Sequence, residues 1–575
     1  MSLIQQVEPH VRQIVEIALL AMVLITCAMR PQAAGRFFER CERRLAQIAR
    51  HPVGAPLFVA ITVIICRLGL LAGLPWPVTI GRDESSLRLQ AETFLLGRLA
   101  NPPHPFAAFF ESAYVHQAPA YGSMYFPGRG LELALGLGLA GEPGVGVMFV
   151  VAAAGAAIVW MLRGWLGANI AFVGGLLFVV RFGLFSPFMN MPYGLAATVL
   201  GGILVIGALP RLLVRIDAGA ALALALGVAL LMLTRPYEGL LLCLPLVPVL
   251  VFRLVRLLAD RQWPAGLRLV LPMVVAVGAS GALLLAYNQA NTGSAFETPY
   301  ELNRTDYARM PAFVTQVASV PKRAVPPGLD AFYQAESRPA GDYSTPVHAL
   351  RATAGKLRNI WSFFFGPLLT IPMFFGLFWL RSRPVLAASL AVTVVGFCFI
   401  TFSWPHYLTP AVGLLVLISV AGLDTLRRAR WAPWGLFLSR ALPLAIVATC
   451  IVPLANLATG WPRLAPTFMT PCCYLAVPYG RLPVERALGA ASGDDLVFVR
   501  PVTVAKGGVQ WVFNGADIDH QPIIWAHDLG DERNAALIRY YAGRRVWRVD
   551  PVANPEGSVP SELKRPRRGA FAQSR

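Results

Sequence analysis

The chain has 575 residues, 56% of them hydrophobic and only 14% charged, with a formal net charge of +19. Soluble domains carry roughly a quarter charged residues, so this composition excludes a water-soluble enzyme and makes the bilayer the solvent. The basic residues lie in small clusters between apolar runs rather than in one patch, which argues against a nucleic-acid partner and turns them into a topology signal.

Apolar runs long enough to cross about 30 Å of hydrocarbon begin with Ile14–Met29, Pro56–Leu74, Val145–Leu162, Ala168–Phe185, Tyr193–Leu209 and Ala218–Leu233. They continue with Gly239–Val255, Leu269–Tyr287, Ile360–Leu380, Val385–Phe402, Tyr407–Leu423 and Gly435–Leu457. The first has no basic segment before it and no small-residue cleavage site after it, and reads as a retained helix that either spans or lies in the interface, giving eleven or twelve transmembrane helices. Leu131–Ala140 is too short to span and reads as a half-helix. The cysteines suggest neither a disulfide framework nor zinc: most fall in apolar runs, Cys41 is in a basic loop, and Cys472 and Cys473 are in the polar C-terminal part.

Short cytoplasmic loops retain Lys and Arg, and here every second connection is basic: 30–50, Arg163, Arg211 with Arg215, 253–268, Arg381 with Arg383, and Arg427 to Arg430. Ser186–Pro192 and Ser403–His406 carry no Lys or Arg, and Thr234–Glu238 carries only Arg235. This orientation puts the long segments 75–130 and 288–358, and everything after Leu457, on the outer (periplasmic) face of a bacterial inner membrane. The expected organisation is an N-terminal helix and basic cytoplasmic loop (1–53), a transmembrane domain (54–458), a C-terminal α/β domain (459–560) and a basic, disordered tail (561–575). Within the α/β domain, Leu496–Pro501, Trp511–Asn514, Ile523–Asp528 and Val546–Val549 read as strands, and Glu532–Tyr541 as a helix before the last of them, a βαβ order.

The concentrated polar chemistry is in the outer segments. Asp83 and Glu84 stand where the chain leaves the membrane, ahead of a helical pattern containing Leu87, Phe94 and Leu95; an acidic pair in that place more often caps a helix than catalyses. The loop from His104 to Gly130 then places Glu111, Tyr114, His116, Gln117, Tyr121, Tyr125 and Arg129 among prolines and glycines. Aromatic rings with polar tips suit sugars, which have apolar faces and hydroxylated edges. TRPYEG sets Arg235 and Glu238 around a proline at a helix start, where a cation and backbone donors suit an anion, although an ion pair capping that helix reads equally well. His406 in SWPHY sits at a membrane boundary, and Asn190 and Tyr193 in SPFMNMPYG have a weaker claim. Asp517, Asp519, His520, His527 and Asp528 suggest a metal cluster, but strand alternation would scatter them, so a lid or docking module is preferred.

In this ordered series (the Asp83-Glu84 pair, AETFLLGRLANPPHPF, FESAYVHQAPAYGSMYFPGRG, RPYEG and NGADIDHQPIIWAHDLGDERN) the chain resembles the GT-C superfamily of membrane glycosyltransferases. Within it, the chain is similar to bacterial protein-mannosyltransferase-like and lipopolysaccharide-core glycosyltransferases. The resemblance implies transfer of a sugar from a polyprenyl-phosphate carrier to an envelope glycan, lipid or protein acceptor. It implies Asp83 as general base or acceptor-orienting carboxylate, and Glu84 as its orienting partner or as a ligand to a divalent metal. A leaving lipid phosphate calls for cations, for which Arg235 is the first candidate, Arg129 (where the family carries a different sequence) the second and His116 the third. Glu111, Tyr121, Tyr125, Glu238 and His406 would line the substrate site. Arg82 stands immediately before the acidic pair, where an ion pair would weaken Asp83 as a base. The competing readings are a transporter or flippase of a lipid-linked saccharide, which would place polar residues at mid-membrane, and an outward-facing sensor or scaffold.

Overall fold

The computed structural model describes residues 11–77, 81–318, 320–337, 343, 345–429, 433–460, 481–489, 494–501, 510–551 and 561–562. The tail from residue 563 onward, Cys472 and Cys473 lie outside them. Every apolar run read from the sequence is helical. Among the described residues eight helices are long and apolar enough to cross a membrane, or nine if Gly35–Ala49 and Gly54–Leu70, bent by 107°, form one span. Ala168–Gly183, Ala218–Thr234 and Pro384–Phe399 are shorter apolar helices. The chain is a multi-pass membrane protein. The short run before Ala140 is the helix Pro127–Ala140.

The basic stretch expected as a loop is itself a helix, Gly35–Ala49. Phe38, Leu45 and Ile48 recur on one side of it and pack against the membrane core, while its arginines face away, the pattern of a helix lying along a membrane surface. Glu42 on this helix pairs with Arg440 at 2.8 Å and with Arg427, and Arg163 donates to the His51 carbonyl at 2.9 Å. The basic connections thus gather at one end of the bundle. The few charges inside the apolar runs are tied to structure: Arg67 donates to the carbonyls of Leu74 and Pro75, and Arg181 pairs with Glu16 at 2.6 Å.

The three segments expected outside come together. The first of them carries a short antiparallel pair, β1 (Val115–His116) and β2 (Gly122–Ser123). The C-terminal unit is a sheet of β3 (Asp495–Val499), β4 (Ile523–His527), β5 (Arg545–Val549) and β6 (Ser561–Glu562) in the order β4-β3-β5-β6, with β3, β4 and β5 parallel, β6 antiparallel to β5, and the helix Asp531–Tyr540 crossing from β4 to β5. Alternation along the strands builds two faces. Leu496, Phe498, Ile524 and Ala526 join Leu89, Phe109, Phe110 and Tyr121 in one apolar core, so the sheet rests directly on the first outer loop. Val497, Val499 and Trp525 face the helix Arg481–Gly489 through Val484 and Leu488. Trp511–Asn514, expected as a strand, is irregular. The side-chain amide of Asn514 instead makes both bonds to the Trp525 backbone, 2.9 Å to its carbonyl and 3.0 Å from its N–H, and so caps the edge of β4 without a strand.

Candidate active site

Gly81, in an extended conformation, precedes the helix Arg82–Leu95. The Glu84 carboxylate turns back to accept the Gly81 N–H at 2.8 Å, satisfying one of the helix's unpaired donors. Asp83 is thereby left in the first turn, where the helix dipole favours a negative charge. The Tyr125 hydroxyl donates to its Oδ1, and the Tyr193 hydroxyl to its Oδ2 at 3.4 Å. The ion pair with Arg82 does not form: the Arg82 guanidinium lies over the Phe332 ring, 4.1 Å from its centroid. Among the described residues no cation is within ion-pair distance of Asp83, and the carboxylate lines a chamber of about 1210 Å³.

Besides Arg82, three guanidinium groups line this chamber. Arg129 donates through Nε to the Tyr193 carbonyl at 2.8 Å and covers the Tyr125 ring at 4.2 Å. This contact depends on Gly194, whose φ is +59° and whose added Cβ would fall 2.5 Å from the Arg129 carbonyl oxygen. Arg235, at the break between the helices Ala218–Thr234 and Pro236–Cys243, pairs with Glu238 at 2.8 Å and lies over Tyr407. Arg304, on the helix Pro299–Asp306, pairs with Glu336 at 3.1 Å, and Tyr114 donates to the same carboxylate at 2.7 Å. Among the described residues, Arg129 alone of the three has no carboxylate partner.

The same three arginines, with Tyr125, Tyr300 and Tyr407, also line a second chamber of about 1800 Å³. Its lining adds Met310, Phe313, Val317, Val320 and Ile400, together with Glu301, Gln316 and Lys322. The segment carrying Phe313 is held to the end of the helix Pro384–Phe399 by strand-like bonds, from the Val314 N–H to the Phe399 carbonyl and from the Thr401 N–H to the Ala312 carbonyl, both 2.9 Å. A cavity lined by guanidinium groups and by apolar side chains suits an amphiphile with an anionic head.

Of the residues expected at the site, Asp83, Glu84, Tyr125, Arg129, Arg235 and His406 line the Asp83 chamber, and Glu238 lines the second. Glu111, His116 and Tyr121 line neither. Glu111 is buried and accepts from Tyr307 at 3.0 Å and from Arg323 at 2.8 Å; burial pushes its carboxyl up despite the arginine. Tyr121 donates to the Asn514 carbonyl of the C-terminal unit. His116 is fully buried, and desolvation pushes its imidazole down to about 4, so it supplies no cation for a phosphate at neutral pH.

Asn190 is also structural, donating to the Leu184 carbonyl at 2.7 Å. The acids and histidines of the C-terminal unit are dispersed: Asp519 accepts from Tyr541 and faces His104, His527 donates to the Glu111 carbonyl, and Asp528 pairs with Arg548. Among the described residues no three His, Cys, Asp or Glu side chains converge as metal ligands. The Arg304–Glu336 pair was not singled out in the sequence. Its two members lie 32 positions apart on separate short helices, with no local spacing that links them.

No family model and no curated protein matches the chain. Among solved structures it is similar to ArnT from Cupriavidus metallidurans in the apo state, at 18% identity and a TM-score of 0.38 over 70% of this chain and 64% of that one. It is also similar to the Archaeoglobus fulgidus oligosaccharyltransferase in the apo form, at 12% identity and a TM-score of 0.37 over 78% of this chain and 62% of that one. The chain spans less than two thirds of the length of either. Both superpositions are loose, and neither transfers a residue or an activity.

Proposed function

We propose that the protein is a GT-C-like glycosyltransferase that moves a sugar from a polyprenyl-phosphate donor to an acceptor at the outer face of the membrane. The observation that carries this reading is that the two chambers share Arg129, Arg235 and Arg304: one chamber also holds Asp83, which has no ion-pair partner among the described residues, and the other also holds the apolar side chains of Met310, Phe313, Val317, Val320 and Ile400. The carrier lipid would occupy the second chamber with its phosphate at Arg129, Arg235 and Arg304. The sugar and the acceptor would meet in the Asp83 chamber. An acceptor hydroxyl attacks the anomeric carbon while its proton passes to Asp83, and the bond from that carbon to the phosphate oxygen breaks. The leaving phosphate gains charge as the bond breaks, and Arg129, with no carboxylate to neutralise it, is the group best placed to stabilise it.

Glu84 and Glu336 are already engaged, by the Gly81 N–H and by Tyr114 with Arg304. Asp83 accepts only from the Tyr125 and Tyr193 hydroxyls, which can turn away, whereas Glu84 holds the helix start and Glu336 is paired with Arg304; Asp83 is therefore the carboxylate best placed to take the proton, which favours a single displacement with inversion at the anomeric carbon. The transport reading is weakened by the engagement of Arg67 and Arg181 in structural contacts. The test uses purified protein and radiolabelled polyprenyl-phosphate sugars, with envelope lipid and glycan fractions as acceptors. Transfer should fall by about 10²–10⁴-fold in Asp83→Asn with thermal stability retained. Equal transfer by wild type and variant would remove Asp83 from the chemistry, and binding of donors without consumption by either protein would return the transport reading.

A further inference from the structure

A smaller cleft, about 550 Å³, lies where the C-terminal sheet meets the outer loops. It opens at the carboxyl ends of the parallel strands, next to Val499 and Arg500 after β3 and His527 at the end of β4, the edge at which open parallel sheets form their ligand crevices. Its chemistry is that of an acidic sugar site. Arg82 lines it and makes no ion pair among the described residues. Arg500, half exposed, pairs among the described residues with Asp550 alone, at 3.1 Å. The one carboxylate in the wall, Glu111, is held by Tyr307 and Arg323. The His527 Nε2 donates to the Glu111 carbonyl at 2.7 Å, which leaves Nδ1 of the neutral ring as an acceptor for a hydroxyl. Trp511 and Phe332 supply aromatic surface.

We propose that this cleft binds an anionic saccharide, the part of the acceptor that is recognised but not glycosylated, with its acid group at Arg82 and Arg500 and a ring against Trp511. The proposal rests on the transferase reading and names the acceptor class. Arg82 lines both this cleft and the Asp83 chamber, so a glycan seated here has its neighbouring residue beside Asp83. Both a uronic acid and a phosphorylated sugar meet the chemistry.

The test is calorimetric binding to full-length Asp83→Asn protein, which keeps the cleft and removes turnover. The probes are trigalacturonate, mannose 6-phosphate and neutral maltotriose. At least one acidic probe should bind about tenfold or more tightly than maltotriose, and more weakly as salt is raised; which of the two binds identifies the acid group. Arg500→Glu in the same background should weaken that binding about tenfold, whereas Arg500→Lys should retain most of it. Equal affinity for acidic and neutral probes, no measurable binding, or undiminished binding by a folded Arg500→Glu protein would overturn the proposal. Because the binding is read without catalysis, failure of the transferase reading would not produce any of these outcomes.

Discussion

The two halves of the first outer loop have the same kind of sequence and different fates. From Phe109 to Tyr121 most polar and aromatic side chains are used in packing the loop, Tyr114 at the chamber wall being the exception: Glu111 accepts from Tyr307 and Arg323, Tyr121 donates to the Asn514 carbonyl, and His116 is fully buried. Only a few residues later, Tyr125 and Arg129 face the Asp83 chamber. A dense run of Tyr, His and Glu therefore marks a loop that will be ordered. Whether a given side chain orders the loop or serves the cavity depends on what comes to cover it, and that covering is supplied from segments roughly 200 to 400 residues away.

Substitutions that treat the two halves alike should separate them. The largest difference is expected between Arg129→Ala, which should lower kcat about 10²–10³-fold even where the protein remains folded, and His116→Ala, which should lower the unfolding temperature and leave kcat near wild type. Arg129→Lys should recover only part of the rate, because an ammonium lacks the planar fork. A smaller contrast is expected between two tyrosines. Tyr125→Phe removes a hydrogen bond to Asp83 and should lower kcat about tenfold. Tyr121→Phe should cost about 1 kcal/mol of stability and leave kcat near wild type.

The last contrast is read in stability against pH. Burial pushes His116 and His527 from the ordinary 6.5 down to about 4. Between those values the unfolded chain binds more protons than the folded one. Stability is therefore fully present above about pH 6.5 and falls toward pH 4, by at most ~1.4 kcal/mol per pH unit for each group. Thermal unfolding across that range should show the slope, and His527→Gln should flatten it.

The membrane part was legible because an uninterrupted apolar run needs no partner to be recognised. All the runs from Ile14 to Leu457 became helices, and the alternation of arginines separated two ends that the contacts of Glu42 and of the C-terminal sheet keep apart. Trp511–Asn514 was misread because aromatic and β-branched residues fit either a strand or an edge cap, and the decisive bond belongs to the Asn514 amide. At the site, Asp83, Arg129 and Arg235 stood out as charges beside membrane boundaries. Arg304 and Glu336 did not, since their meaning lies in a pairing across two short helices. Arg82 misled in the opposite way: adjacency to Asp83 suggested an ion pair, whereas successive positions on a helix diverge and Phe332 took the guanidinium.

The apolar core shared by Phe109, Phe110 and Tyr121 with Leu496, Phe498 and Ile524 has a bearing on the order of biogenesis. The loop emerges from synthesis early, and the surface that buries it arrives nearly four hundred residues later. Until then Phe109 and Phe110 have no cover. A chain stopped at residue 460 should insert in the membrane, yet its loop between Phe106 and Tyr121 should be cut readily by protease where the full chain resists. The Asp83 chamber, lined by residues 81 to 407, needs none of those last strands, whereas the cleft beside Arg82 takes Val499, Arg500, Trp511 and His527 from them and is finished only when they arrive.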